Sequence, residues 1–153
     1  MVYCNDPSGP SVGDAFCGPA VPNSTGASAT IEAIGTPFIA ANNLTLEAAA
    51  LPSNSTGFFL ASQTQGFVNQ PGGSQGNLCL GGGIGRYVGP GQIMNSGAAG
   101  SISLPIDLSD LPTPTGPVSA IAGETWSFQA WFRDSVGGSA TSNLTDGVSV
   151  TML

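Results

Sequence analysis

From Thr30 onward the chain sustains no long apolar stretch, because glycine, proline, asparagine and serine interrupt its runs of Val, Leu, Ile, Ala and Phe roughly every 10–15 residues. That rhythm leaves no room for ordinary helices, which average about 11–12 residues. The alanine-rich stretch Leu46–Leu51 is stopped by Pro52, and Asp107–Leu111 offers at most one turn. Within the runs, side chains alternate with period two, so faces can be assigned. Trp126, Phe128, Ala130 and Phe132 point one way; Ser127, Gln129, Trp131 and Arg133 point the other. Ile102, Leu104, Ile106 and Leu108 make a second stripe, and Val148, Val150 and Met152 a third. Pro105 cannot donate to a ladder and places its strand at an edge or a bulge.

Further strands are expected at Thr30–Ile34, Pro37–Ala40, Leu44–Ala48, Gly57–Ser62, Leu78–Leu80 and Gly85–Val88. With roughly eight or nine strands the fold is read as all-β, an antiparallel two-sheet sandwich of Ig-like or jelly-roll-like kind spanning residues 30–153. Residues 1–29 lack periodicity and are rich in Pro, Gly, Ser and Asn, which makes them an extended arm held by its own sheet or by a neighbouring molecule.

The chain's ionisable content narrows the function. Two arginines, Arg86 and Arg133, face nine acidic residues, with no histidine and a net charge of −7. A nucleic-acid partner is excluded, since phosphate neutralisation needs clustered Lys and Arg. Anionic membrane surfaces lose the same attraction, and no stretch approaches the roughly 20 apolar residues of a membrane span. Without Lys or His, most nucleophilic and acid–base catalysis lacks its usual base. Paired carboxylates remain, with Asp107, Asp110, Glu124, Asp134 and Asp146 as candidates, but carboxylates beside turns and strand starts more commonly accept from backbone amides. Asp134, Asn143 and Asp146 could supply loop oxygens to calcium, although no EF-type spacing is present. No cofactor is expected.

Three cysteines, Cys4, Cys17 and Cys79, lack zinc-type spacing, so a disulfide is the better use for two of them. Closure of Cys17 to Cys79 would contribute about 4 kcal/mol in the chain-entropy model. A disulfide implies an oxidising compartment. Cys4 is then the odd thiol, available to another chain or competing for either partner. The residues after Met1 form neither a basic nor an apolar leader region, so Met1 is read as a start that replaces a removed secretion signal. Sequons occur at Asn23, Asn43, Asn54 and Asn143.

Two glycine-rich matches are turns. Gly72-Gly73-Ser74-Gln75-Gly76 has the pattern of a hydrolase nucleophile elbow but sits in a Pro-Gly-Gly loop without helix or histidine. Gly81–Arg86 lacks the Lys and helix start of a phosphate cradle. A sugar-binding face is the more substantial candidate: Trp131 could stack on a pyranose while Gln129, Arg133 and Tyr87 bond its hydroxyls. The bland alternative is an Arg133–Asp134 ion pair at a strand end, with the indole covered by a loop.

Cys17 through Asn23-Ser24-Thr25-Gly26, Asn42–Leu46, Gly57–Leu60, Gly72–Gly82, Ile84–Arg86, Trp126–Asp134 and Ser142–Gly147 together resemble an uncharacterised module of large secreted proteins from planctomycetes and related environmental bacteria. The resemblance covers about residues 16–153 and implies extracellular origin, a disulfide between Cys17 and Cys79, and no known activity. Residues 1–15, with Cys4, depart from it. The expected function is a secreted, non-catalytic structural or adhesive module that associates with copies of itself or other cell-surface proteins. Its arm would add a strand to a neighbour's edge, in filaments or a surface layer, and Cys4 would lock the junction. The alternative is a polysaccharide-binding module using Gln129, Trp131, Arg133 and Tyr87.

Overall fold

A computed structural model describes residues 10–153, and Cys4 lies outside them. The chain is nearly all β and antiparallel, with one short 3-10 turn at Pro71–Gly73. Its strands are β1 (Ser11–Val12), β2 (Asp14–Phe16), β3 (Thr30–Ile34), β4 (Thr45–Ala49), β5 (Thr56–Ser62), β6 (Thr64–Asn69), β7 (Asn77–Gly81), β8 (Gly85–Arg86), β9 (Met94–Asn95), β10 (Ile102–Pro105), β11 (Thr125–Val136), β12 (Ser139–Leu144) and β13 (Gly147–Thr151). The smaller sheet runs β1-β3-β4-β10, and the larger β2-β13-β11-β5-β8. β11 is long enough to pair with β13 along its first part and with β12 along its second, while β9 pairs with the start of β5. The hairpin β6-β7 makes a third layer.

The core lies between the two main sheets, and the expected stripes build it. Trp126, Phe128, Ala130 and Phe132 are buried from the larger sheet against Ile31, Ala33, Leu46 and Ala48 from the smaller. Val148, Val150 and Met152 join them, as do Ile102, Ile106 and Leu108, with Leu104 half-buried beside them. Pro105 closes β10, which lies at the edge of its sheet, where a missing N–H leaves no ladder partner unsatisfied.

Two strand expectations fail. Pro37–Ala40 is a turn, closed by the Ala41 amide donating to the Phe38 carbonyl, and Phe38 is exposed. Its apolar composition imitates a strand, but its backbone instead exchanges bonds with the chain's last residue: Ile39 donates to Leu153 and Leu153 to Pro37. Gly85–Val88 contracts to two strand residues.

The described part of the arm is strapped to its own sandwich. β1 pairs with β3 in the smaller sheet, and β2 pairs with β13 in the larger. The crossing between sheets occurs at Gly13, whose φ of 82° suits glycine, and a Cβ there would run into the Ser149 carbonyl oxygen. Further along, the segment from β2 into β3 is tied down by polar side chains of β11 to β13 and their connections. Asp134 accepts from the Ser24 amide at 3.1 Å, Asp146 accepts from the Ile31 amide at 3.0 Å, and the Asn143 amide donates to the Val21 carbonyl at 3.1 Å.

Candidate functional site

The face of β11 opposite the core carries Ser127, Gln129, Trp131 and Arg133. Alternation predicts that these side chains point outward, and they do leave the core, but the β6-β7 hairpin folds back over half of them. Gln129 is therefore fully buried. Its amide donates to the Asn77 carbonyl at 2.8 Å and the Thr145 carbonyl at 2.7 Å, and its oxygen accepts from the Cys79 amide at 2.9 Å. Both its N–H donors are used, and two of its three bonds pin the hairpin while the third holds the turn between β12 and β13. The same hairpin is stapled to the arm by the Cys17–Cys79 disulfide, with the two Cα atoms 6.3 Å apart. Gln129 is thus a structural anchor and is withdrawn from the sugar-contacting set.

Tyr87 is withdrawn as well. It follows β8 on the core side, is only 3% exposed, and its hydroxyl finds no partner among the described residues. Burial, and behind it the negative charges of Asp110 and Asp107, push its phenol far above the ordinary value.

Trp131 and Arg133 stay accessible at the end of the face that the hairpin does not cover. Trp131 is half-buried and Arg133 exposed. The guanidinium carbon of Arg133 lies over the indole, 5.0 Å from the ring centroid. Across the strand pair, Phe58 of β5 stands opposite Trp131, with ring centroids 5.1 Å apart and planes tilted by 31°. This ladder of cation, indole and phenyl replaces the anticipated Arg133–Asp134 pairing, because neighbouring residues of a strand point to opposite faces and Asp134 turns inward to Ser24.

Phe58, Leu60, Leu78, Ile84, Trp131 and Leu144 line a groove of about 440 Å³, within the usual range for ligand sites. Leu60, Leu80 and Leu144 form a small buried cluster beneath it, so the floor is fixed by packing. Arg86, opposite Leu60 in the β5-β8 pair, and the loop residues Pro71 and Gly72 complete the rim. Sequence reasoning missed Phe58 and Arg86. The available signals were the alternation of Phe58 with the core residue Phe59, and the rarity of arginine in this chain.

The acidic candidates are spread along the molecule as backbone and side-chain acceptors. Burial pulls Glu124 upward, but donors from the Ile121 amide, the Trp126 indole and Gln63 outweigh it and hold the carboxyl below its usual range. The Ser109 hydroxyl, the Ser109 amide and Asn42 hold Asp107 low in the same way. Asp146 is raised, chiefly by desolvation and further by Glu32, with the Ile31 amide opposing. The calcium candidates Asp134, Asn143 and Asp146 face backbone groups of residues 21–31, and among the described residues no group of three or more acidic, Cys or His side chains could hold a metal ion.

The elbow-like match does not form an elbow. Ser74 is buried in the hairpin loop and its amide donates to Pro71. Of the sequon asparagines, Asn23 and Asn143 are buried with their amides donating to backbone carbonyls, whereas Asn43 and Asn54 are exposed. No helix among the described residues is long and apolar enough to cross a membrane. Compared with protein-family models, curated proteins and solved structures, the chain matches none.

Proposed function

We propose that the protein is a non-catalytic, extracellular contact module that binds a polysaccharide chain in the groove beside Phe58 and Trp131. The observation that carries this reading is the pairing of those two aromatic side chains on a packed floor, with guanidinium donors at the rim. A pyranose has apolar C–H faces and polar edges, and a groove of apolar floor and hydrogen-bonding rim matches both. The disulfide supports an oxidising compartment, and the resemblance to a secreted bacterial module supports the same location.

The experiment is retention of the purified protein on insoluble polysaccharides. Trp131→Ala is expected to lower retention about tenfold or more while leaving the β-type spectrum intact. Unchanged retention by the variant would reject the reading.

Self-association through a sheet edge is the second reading, and one observation favours it. β6 is exposed along its whole length, carries no charge, and presents Phe67 and Val68 to solvent, so its outer edge lacks the usual gatekeepers. The arm supports this reading less, since β1 and β2 are already bonded to their own sheets. Light scattering of the eluting protein separates the two readings: oligomers abolished by Phe67→Lys but unaffected by Trp131→Ala would favour the edge.

A further inference from the structure

We infer that the glycan bound in the groove is an acidic one, carrying carboxylates at sparse intervals along its chain; this rests on the polysaccharide reading above. The chain has two cationic side chains in 153 residues: Arg86 lines the groove, and Arg133 lies over Trp131, which lines it too. Arg86 lies in the same cross-strand row as Leu60 and Gln129, and Arg133 lies one row beyond Trp131. No carboxylate lines the groove. In a molecule of net charge −7, this places both cationic side chains at an apolar groove, where a ligand carboxylate would take a stronger, charge-assisted hydrogen bond than a neutral hydroxyl.

The mounting of Arg133 adds to the case. A guanidinium lying over an aromatic ring keeps its N–H donors in its own plane, where they can take a carboxylate bidentately. The indole thus holds the fork ready, and less side-chain freedom is lost on binding than from a mobile lysine. Arg86 and Arg133 are separated by two strand spacings of about 4.8 Å and four residue rises of about 3.3 Å, which puts their Cα atoms about 16 Å apart. An extended oligosaccharide meets both without drawing them together, with neutral rings over Phe58 and Leu60 in between.

The overall negative charge sets the density of the ligand. Two guanidinium groups can match two carboxylates, whereas a densely charged polymer is repelled by a chain whose acidic residues outnumber its arginines nine to two. At physiological ionic strength charges more than about 8 Å away are largely screened, so contact with a short acidic oligosaccharide is governed by the two arginines.

The test uses calorimetry on the full chain with a panel of short oligo-uronates and their methyl esters, which keep the sugar backbone and remove the charge. The acids are expected to bind at least about tenfold more tightly than the esters. Arg86→Gln and Arg133→Gln, both at exposed positions, are each expected to remove most of that difference without shifting the melting temperature. Arg133→Lys is expected to recover only part of it, because the ammonium lacks the fork. Equal affinity for acid and ester, with both lost in Trp131→Ala, would overturn the acidic ligand and leave the polysaccharide reading standing. Binding of neither would overturn both, and equal binding of a short glutamate peptide would overturn the glycan.

Discussion

The two faces of β11 follow the same alternation and meet opposite fates. Toward the smaller sheet, Trp126, Phe128, Ala130 and Phe132 disappear into a continuous apolar interior. Away from it, Ser127, Gln129, Trp131 and Arg133 grade from wholly covered to exposed within seven residues, Ser127 to Arg133. The inner face is governed by area removed from water, which is insensitive to detail as long as the side chains are apolar and fit. The outer face is governed by whether the β6-β7 hairpin lies over a given position. Polarity therefore reports the face of a strand, and not its exposure.

The inner face should give the largest response. Phe128→Ala leaves a cavity where no neighbouring loop can collapse, and is expected to cost about 3–5 kcal/mol in urea unfolding. A loss below about 1 kcal/mol would mean that the two sheets are not packed as described. On the outer face, Gln129→Leu keeps much of the volume but strands the Cys79 amide and the Asn77 and Thr145 carbonyls. It is expected to cost about 2–3 kcal/mol. Amide exchange should quicken over Thr64–Gly81 and stay slow in β13; equal quickening in both would show that the hairpin and the sandwich open as one unit.

The smallest effect is expected at the junction after β12. Asp146 has its folded pKa raised, so the native state holds the proton more readily than the unfolded chain and its charged form is disfavoured above the ordinary carboxylate range. Asp146→Asn can keep the acceptor for Ile31 while removing that penalty. It is expected to raise stability by about a few tenths of a kcal/mol near neutral pH, allowing for its partial exposure. The gain should fade as pH falls through the Asp146 titration, where the native side chain is itself neutral. Melting curves at neutral and acid pH check the sign, and a gain that grew in acid would contradict it.

What could be read from the residues follows the same division. The stripes 126–132, 102–108 and 148–152 report burial because both sides of the interface are apolar, and a period of two survives any connectivity. β6 and β12 could not be found this way: Thr-Gln-Gly-Phe-Val-Asn and Ser-Ala-Thr-Ser-Asn-Leu pair through their backbones at the sheet margins and carry no alternation of polarity. The burial of Gln129 is not legible because the hairpin covering it comes from residues some fifty positions away, and that of Tyr87 because β8 is too short to show an alternation that assigns it to the core side. Trp131 and Arg133 were legible as a pair from their spacing of two. Phe58, the cross-strand partner of Trp131, needed the register of β5 against β11.

The pairing of Asp14 with Ser149 joins positions at nearly opposite ends of the described chain. While the protein is being synthesised, β2 emerges early and has nowhere to dock until β13 has left the ribosome. One margin of the larger sheet is therefore completed last, and contacts of such long sequence separation make folding slow. Until then the nascent chain is most vulnerable to pairing with a second copy of itself.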